Sequence, residues 1–458
     1  MHRTIAAFMV AASLASAAGA QTSPPPGIPA ATTSSQATPA FSLDAALGAA
    51  GMSSVAGTPA TSATTGGGGM TSGSASNTRA ALPSIGAATA NVAAATAARR
   101  VAGLRPNPEL QTQVENIGGS GAYRGVRSSE TTVGLALPLE LGGKRPARVA
   151  LATARLTRAQ IQAEIARADL RLRITQLYIE AAAAERRSEV LAEQAEIANN
   201  AFRVSSERVK AGDVGPIEQQ RADVLRINAQ VAADSATRQA QAARANLETL
   251  LNASVTGPLD RAWFERIDGY GPQRPVDIEG TLALVAAQAD VRTADAQVRV
   301  ARSLRVPDLT VSAFARRLAA TNDTAAVVGL SIPLPFFNNG SAFVAQSQAE
   351  QTQAQALRSL AIVDTRQQIA SAQTEVANAA ATARAAGGPG LAAAQEAARI
   401  ARIGWSQGKF DQIALLDAER TLSQTRQTYV DALAAYHDAQ ARLDRLTTPA
   451  PVIPGDNR

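Results

Sequence analysis

The sequence predicts a mainly α fold with a small β part, built as two copies of one unit: a strand pair, a long helix, a sharp turn and a return helix. Three observations carry this. VGLALPL at 133–139 recurs as VGLSIPL at 328–334, 195 positions later. Each copy runs into a long, Ala-rich, polar stretch with helical character. Each stretch reaches a Gly turn, Ala211-Gly212-Asp213 and Gln407-Gly408-Lys409, with the offset now 196. An acid-bearing return helix follows each turn, RADVLR at 221–226 and DAERTL at 417–422. A duplicated hairpin feeding oversized helices suits a structure that spans distance better than one that encloses a catalytic pocket.

Taken in order, residues 1–20 have a basic start, a short apolar run and an Ala18-Gly19-Ala20 end, the pattern of a cleaved secretory signal. Residues 21–84 form an N-terminal segment. It contains a short helix at Phe41–Leu47 with Ser42 as its cap, and a Gly/Ser/Thr-rich stretch, 51–80, with the composition of a flexible insertion. The first repeat is expected over 85–280. A helix runs from near Ile85 to Leu104, where Pro106 stops it. Strands follow at 109–117 and 129–139, joined by GGSGAYRGVRS. In the second strand Val133, Leu135 and Leu137 alternate with Thr132, Gly134 and Ala136, so one face is apolar and the other small or polar.

From Lys144 to Lys210 no Gly or Pro occurs after Pro146, which predicts one helix of roughly 100 Å at about 1.5 Å per residue. Ile161, Ile165, Ala168, Leu172 and Ile179 step in the coiled-coil rhythm. So do Leu191, Ala195, Ala198, Phe202 and Val209. A return helix over 216–252 and a mixed linker over 253–280 complete the unit. The second repeat, 281–446, repeats the order: strands near 308–316 and 325–334, a long helix over about 340–407, and a return helix over 410–446. Gly387-Gly388-Pro389-Gly390 should break or kink the long helix. Residues 447–458 are a Pro-rich tail. Pro138, Gly142 and Gly143 in the first copy, and Pro333 and Pro335 in the second, mark the kinks from strand to helix. Gly142-Gly143-Lys144-Arg145 lacks the Ser/Thr and spacing of a phosphate loop.

Composition excludes several functions. The 458 residues contain no Cys, so disulfides, thiolate metal sites and a lipid anchor on an N-terminal Cys are ruled out. The only histidines are His2 and His437, and no Ser/His/Asp set, Cys nucleophile or metal-ligand cluster can be assembled: the chain reads as no enzyme, with no cofactor and no metal held by the protein. The net charge of +6 comes from Arg interleaved with Glu, Asp and Gln, without the aromatic-studded basic stripe that tracks nucleic acid. No nucleic-acid partner is expected. Arg124, Arg127, Arg316 and Arg317 lie near the ends of the strands, where anionic lipid headgroups or solvent meet them.

Strands of 9–11 residues are long enough to cross a bilayer when tilted. Four per chain cannot close a barrel, because closed bacterial barrels start at eight strands and open sheet edges are costly in lipid. Several chains must pool their strands, and three would give 12. The helices would then continue the barrel as a tube.

With this order on view, the chain resembles the TolC family of outer-membrane efflux channels. LRPNPEL at 104–110, VEN at 114–116 and SETTVGLALPLELGGKR at 129–145 resemble its heavy-metal efflux branch, the CzcC-like proteins. The resemblance runs from about 85 to 446, and Phe41–Leu47 matches the usual N-terminal helix; the 51–80 insertion departs from the pattern. It implies a homotrimer in outer-membrane lipid, with a 12-stranded transmembrane β-barrel continued by a long periplasmic α-helical barrel. It also implies a role as the exit duct of a tripartite pump, with a periplasmic adaptor protein and an inner-membrane RND transporter as partners. The cargo implied is a divalent heavy-metal cation; a drug-efflux or type I protein-secretion channel is the alternative, and a poreless periplasmic coiled-coil scaffold a more distant one. The resemblance places a periplasmic aperture at the helix turns, with Glu218, Asp417 and Trp405 at aperture positions. Gly212, Asp213, Gly408 and Lys409 fall at the tips where an adaptor docks. Ala414 and Phe410 stand where some members carry an acid and an Arg, which implies a less charged gate.

Overall fold

The computed structural model describes residues 40–52, 83–268 and 276–451. The signal segment, nearly all of the 51–80 insertion, part of the linker and most of the tail lie outside the described residues. Four strands form one antiparallel sheet in the order β1 (Glu109–Glu115), β2 (Glu130–Leu139), β3 (Leu309–Leu318) and β4 (Asp323–Ser331). The two hairpins therefore lie side by side, β2 against β3, and β1 and β4 are left as edges. Strand ends differ from the expected ones for local reasons. β1 stops at Glu115 because Asn116 takes a left-handed conformation with φ 57°. β4 stops at Ser331, short of 334, because Pro333 and Pro335 have no N–H to give a ladder. The loop joining β1 and β2 is two short 3-10 turns, Gly121–Tyr123 and Gly125–Ser128.

The helices are α1 (Leu43–Ala49), α2 (Pro83–Ala102), α3 (Lys144–Lys210), α4 (Pro216–Leu251), α5 (Arg261–Glu265), α6 (Leu282–Ser303), α7 (Ser341–Ala385), α8 (Leu391–Ser406) and α9 (Gln412–Leu446). Ser42 caps α1 as expected, its Oγ accepting from the Ala45 N–H at 3.1 Å. α3 has the expected ends. Of its coiled-coil positions, Ile161, Ala168, Ile179, Ala195 and Ala198 are buried, and Ile165, Leu172, Leu191, Phe202 and Val209 half-buried. α6 occupies a stretch to which the sequence pattern assigned no element. It precedes β3 as α2 precedes β1, so the duplication itself announces it.

Gly387–Gly390 does not break the second long helix. Ala386–Gly390 forms a single π-helical turn, and α7 and α8 continue on either side of it. A π turn gives Pro389 a place without ending the helix. It also seats the Tyr429 ring of α9 on bare backbone: a Cβ at Gly387 would lie 2.3 Å from Tyr429 Cε2.

Two rows of helices extend from the sheet. Next to it α2, α3, α6 and α7 pack in that order; farther along α3, α4, α9 and α8 pack in the order α4, α3, α9, α8. Between the rows lies the largest apolar cluster, with α1 and α5 wedged against α3 and α9. Tyr178 is fully buried there. Its hydroxyl donates to Phe41 O (2.7 Å) and accepts from Asp260 N–H (3.0 Å), and burial pushes its pKa up to about 12. Trp263 stacks on His437 at 4.4 Å between ring centroids. The His437 Nε2–H donates to Phe264 O at 2.8 Å, and burial holds the imidazole pKa below its ordinary value.

Candidate functional site

The functional surface has two parts, the faces of the sheet and the tips of the helices. Along β2, residues of odd number point one way and those of even number the other. Cross-strand register carries that division through the sheet: Leu110 pairs with Leu135, Leu137 with Val311, and Val311 with Leu330. One face thus carries Leu110, Val114, Val133, Leu135, Leu137, Leu139, Val311, Val328 and Leu330, all exposed, with Thr112, Thr131, Ala313 and Ala315 among them and Arg317 at its hairpin end. Exposure reaches 80% at Val328 on the edge strand β4, and so contiguous an apolar patch suits a surface covered by lipid rather than one facing water. The opposite face carries Glu109, Gln111, Gln113, Glu115, Glu130, Thr132, Gly134, Ser312, Phe314 and Arg316. Arg316 is bonded to Glu130 (2.9 Å), Glu115 (3.2 Å) and Thr132 Oγ1 (3.0 Å). Arg317, one residue on, takes the other face and donates to Asn322 at 2.7 Å. The two arginines are therefore not equivalent: only Arg317 is aimed where headgroups would be.

Where the strands hand over to helices, the first copy is tied down. Lys144 Nζ meets Asp308 at 2.8 Å, the Leu141 N–H donates to the same carboxylate at 3.1 Å, and Arg148 pairs with Glu140. Gly142 and Gly143, with φ of 69° and 73°, turn the chain into α3, and Pro138 sits in β2 opposite Thr310. In the second copy Pro333 and Pro335 are exposed after β4, and Gly340 (φ 73°) precedes α7.

At the far end both turns are tight. Gly212 (φ 80°) and Gly408 (φ 68°) reach the left-handed region that a side chain disfavours. Asp213 N–H donates back to Arg208 O at 2.9 Å, and Lys409 N–H to Gly404 O at 2.8 Å. Asp213 and Lys409 are exposed at the tips. Glu218 is half-buried in the first turn of α4 beside Arg221 (3.4 Å). Trp405 is half-buried near the end of α8, and Asp417 is exposed on α9. Glu218, on α4, and Asp417, on α9, lie on helices separated by α3.

Sequence reasoning passed over the residues that hold the tips together. Glu419, 2% exposed, receives a two-pronged ion pair from Arg402 of α8, with one prong at 2.8 Å. Ser205 of α3 donates to Gln412 Oε1 at 2.7 Å, and Gln412 donates on to Ala201 O at 3.2 Å. Arg226 pairs with Asp223 (2.7 Å) and lies over the Phe202 ring at 5.2 Å.

No described helix is long and apolar enough to cross a membrane. The membrane-facing element is the sheet, and a lipid-compatible sheet face joined to helices of this length defines an outer-membrane channel. The family model "Outer membrane efflux protein" matches residues 75–253 and 278–448, and the chain belongs to this family. It is 33% identical over 358 residues to the cobalt-zinc-cadmium resistance protein CzcC of Cupriavidus metallidurans, covering 74% of this chain and 81% of that protein. It is 31% identical over 256 residues to the nickel and cobalt resistance protein CnrC of the same organism, covering 56% and 61%. Among solved structures, the outer membrane protein VceC of Vibrio cholerae superposes with a TM-score of 0.65 at 20% identity, covering 80% of this chain and 93% of that one. The open-state MtrE channel of Neisseria gonorrhoeae gives 0.64 at 17% identity, covering 80% and 86%.

Proposed function

We propose that three copies of this chain close a 12-stranded barrel and act as the passive exit duct of a tripartite efflux system for divalent heavy-metal cations. The observation that carries the assembly is that every layer ends in an unpartnered edge pair. β1 and β4 bound the sheet, α2 and α7 the near row of helices, α4 and α8 the far row. A head-to-tail contact of β4, α7 and α8 with the next copy's β1, α2 and α4 joins all three pairs at once, and a threefold axis closes it. The helix edges bear the apolar side chains such a contact needs. Ile217, Val224, Ile227 and Val231 step along α4 in heptad fashion and are exposed in one chain, as are Ile400 and Ile403 on α8.

The tips at Gly212-Asp213 and Gly408-Lys409 are the docking surface for a periplasmic adaptor that links the duct to an inner-membrane RND transporter. Glu218, Asp417 and Trp405 line the periplasmic aperture. Divalent cargo follows from the metal-resistance relatives. The chain itself has no Cys and two His, so it lacks the soft and imidazole ligands that retain such ions, and selection is left to the pump. In mild detergent the purified protein should have the mass of three chains and should form conducting pores in planar bilayers. Loss of the gene should sensitise cells to cobalt, zinc or cadmium, while calorimetry on the channel should find no tight stoichiometric metal binding. A stable water-soluble monomer would refute the barrel; new sensitivity to dyes and detergents with unchanged metal tolerance would refute the cargo.

A further inference from the structure

On the polar face of the sheet, Glu115 of β1 and Glu130 of β2 are direct cross-strand partners. Like charges in that position repel and weaken the pairing. Arg316 of β3 resolves the conflict. Its guanidinium reaches across β2, bonding Thr132 and Glu130 on the way and Glu115 beyond. The planar fork of Arg suits two carboxylates at once. All three side chains sit at the hairpin end of the sheet, away from the helices. The other charged groups of the same parity are Asp323 at the start of β4 and Glu109 at the opposite end of β1. Arg316 is thus the one cation that the strands present on this face.

We propose that Arg316 is a built-in counter-ion that keeps the outer mouth of the channel from holding the cations it releases. This rests on the barrel reading above, which turns the polar face inward. Rings of carboxylates attract and retain cations. Three copies bring six carboxylates from Glu115 and Glu130 to the mouth, and three guanidinium groups already occupy them.

The absence of Cys makes the local potential measurable. Gln113, on the polar face, pairs in register with Thr132. In a Gln113→Cys protein in lipid vesicles, the rates of modification by a cationic and an anionic methanethiosulfonate of similar size are compared. Arg316→Gln should raise the cationic-to-anionic rate ratio about fivefold at 0.01 M salt, and the difference should collapse at 1 M, where the Debye length is only ~3 Å. Arg316→Lys should leave the ratio near that of the parent, and Glu130→Gln should lower it, a direction that remains readable if Arg316→Gln fails to assemble. A ratio unmoved by both Arg316→Gln and Glu130→Gln overturns the proposal. Thr112→Cys, on the apolar face, tests the barrel separately: it should be hidden from both reagents. Reaction at Thr112→Cys with silence at Gln113→Cys overturns the inward orientation instead.

Discussion

Two buried polar groups set what single substitutions do. Glu419 is enclosed between α8 and α9 with Arg402 as its counter-charge. Arg402→Ala strands a buried carboxylate, and such breaks cost ~3–5 kcal/mol when both groups are buried. Arg402 is half in water, so a loss of about 2 kcal/mol is expected; pairing it with Glu419→Leu should recover most of the lost thermal stability. A double variant no more stable than Arg402→Ala, in thermal melts followed by circular dichroism, would count against this brace. His437 gives a pH dependence. Its pKa in the folded protein is lowered from 6.5 by burial, so folding favours the neutral ring. That contribution is complete above about 6.5 and is lost as pH falls below it, because the unfolded chain then binds the proton more readily. The melting temperature should drop through mild acid, and His437→Gln should flatten the drop. At this scale the sequence is least legible. Asp417 and Glu419 stand two positions apart in DAERTL, and nothing in the sequence says that the second turns inward to Arg402 while the first stays exposed. Arg316 and Arg317 pose the same ambiguity, although alternation along β3 could have separated them.

At the scale of elements, the two copies differ most where α3 is an unbroken helix and α7–α8 carries the π turn. Gly387 and Gly388 separate packing from propensity. A Cβ at Gly387 would meet the Tyr429 ring at 2.3 Å, whereas one at Gly388 meets nothing within 4 Å. Gly387→Ala should therefore destabilise by about 1–3 kcal/mol through overpacking. Gly388→Ala should be neutral, or stabilise by up to about 1 kcal/mol, because Ala favours helix and restricts the unfolded chain. Equal melting temperatures for the two variants would mean that Tyr429 does not rest on Gly387 in solution. Elements were legible in the sequence wherever a periodic pattern met a chemical stop. α3 runs from the Gly142-Gly143 turn to the Gly212 turn, and α4 begins at Pro216. They were less legible where the stop was conformational. Asn116 ends β1 through a left-handed backbone, and the break or kink expected at Gly387–Gly390 takes the form of a wider helical turn that accommodates Pro389. α6 was legible but passed over: Leu284, Val291 and Val298 recur every seven residues and are buried, and its place before β3 matches that of α2 before β1.

For the whole molecule, the sequence supplied the duplication and the alternation of β2, and from these the two strand pairs and the apolar face of β2 follow. It could not supply the side-by-side order of the hairpins or the layer edges, since these depend on contacts between residues far apart in the chain. Those edges bear on the aperture. In the proposed trimer the α3–α4 and α8–α9 turns of three copies ring the end of the far row, and we propose that the α8–α9 turn is the one nearer the threefold axis. Asp417 is exposed on α9 and has no ion-pair partner among the described residues. Three such carboxylates around a narrow, poorly solvated constriction attract cations and repel anions. Asp417→Ala should shift the reversal potential in a salt gradient toward that of an unselective pore and weaken block by multivalent cations. Glu218 lies on α4 beside Arg221, so its charge is partly balanced, and Glu218→Ala should change selectivity less. Bilayer recordings on the two variants decide the geometry. A larger loss of selectivity at Glu218 than at Asp417 would place α4 toward the axis and reverse the proposed order of helices around the pore.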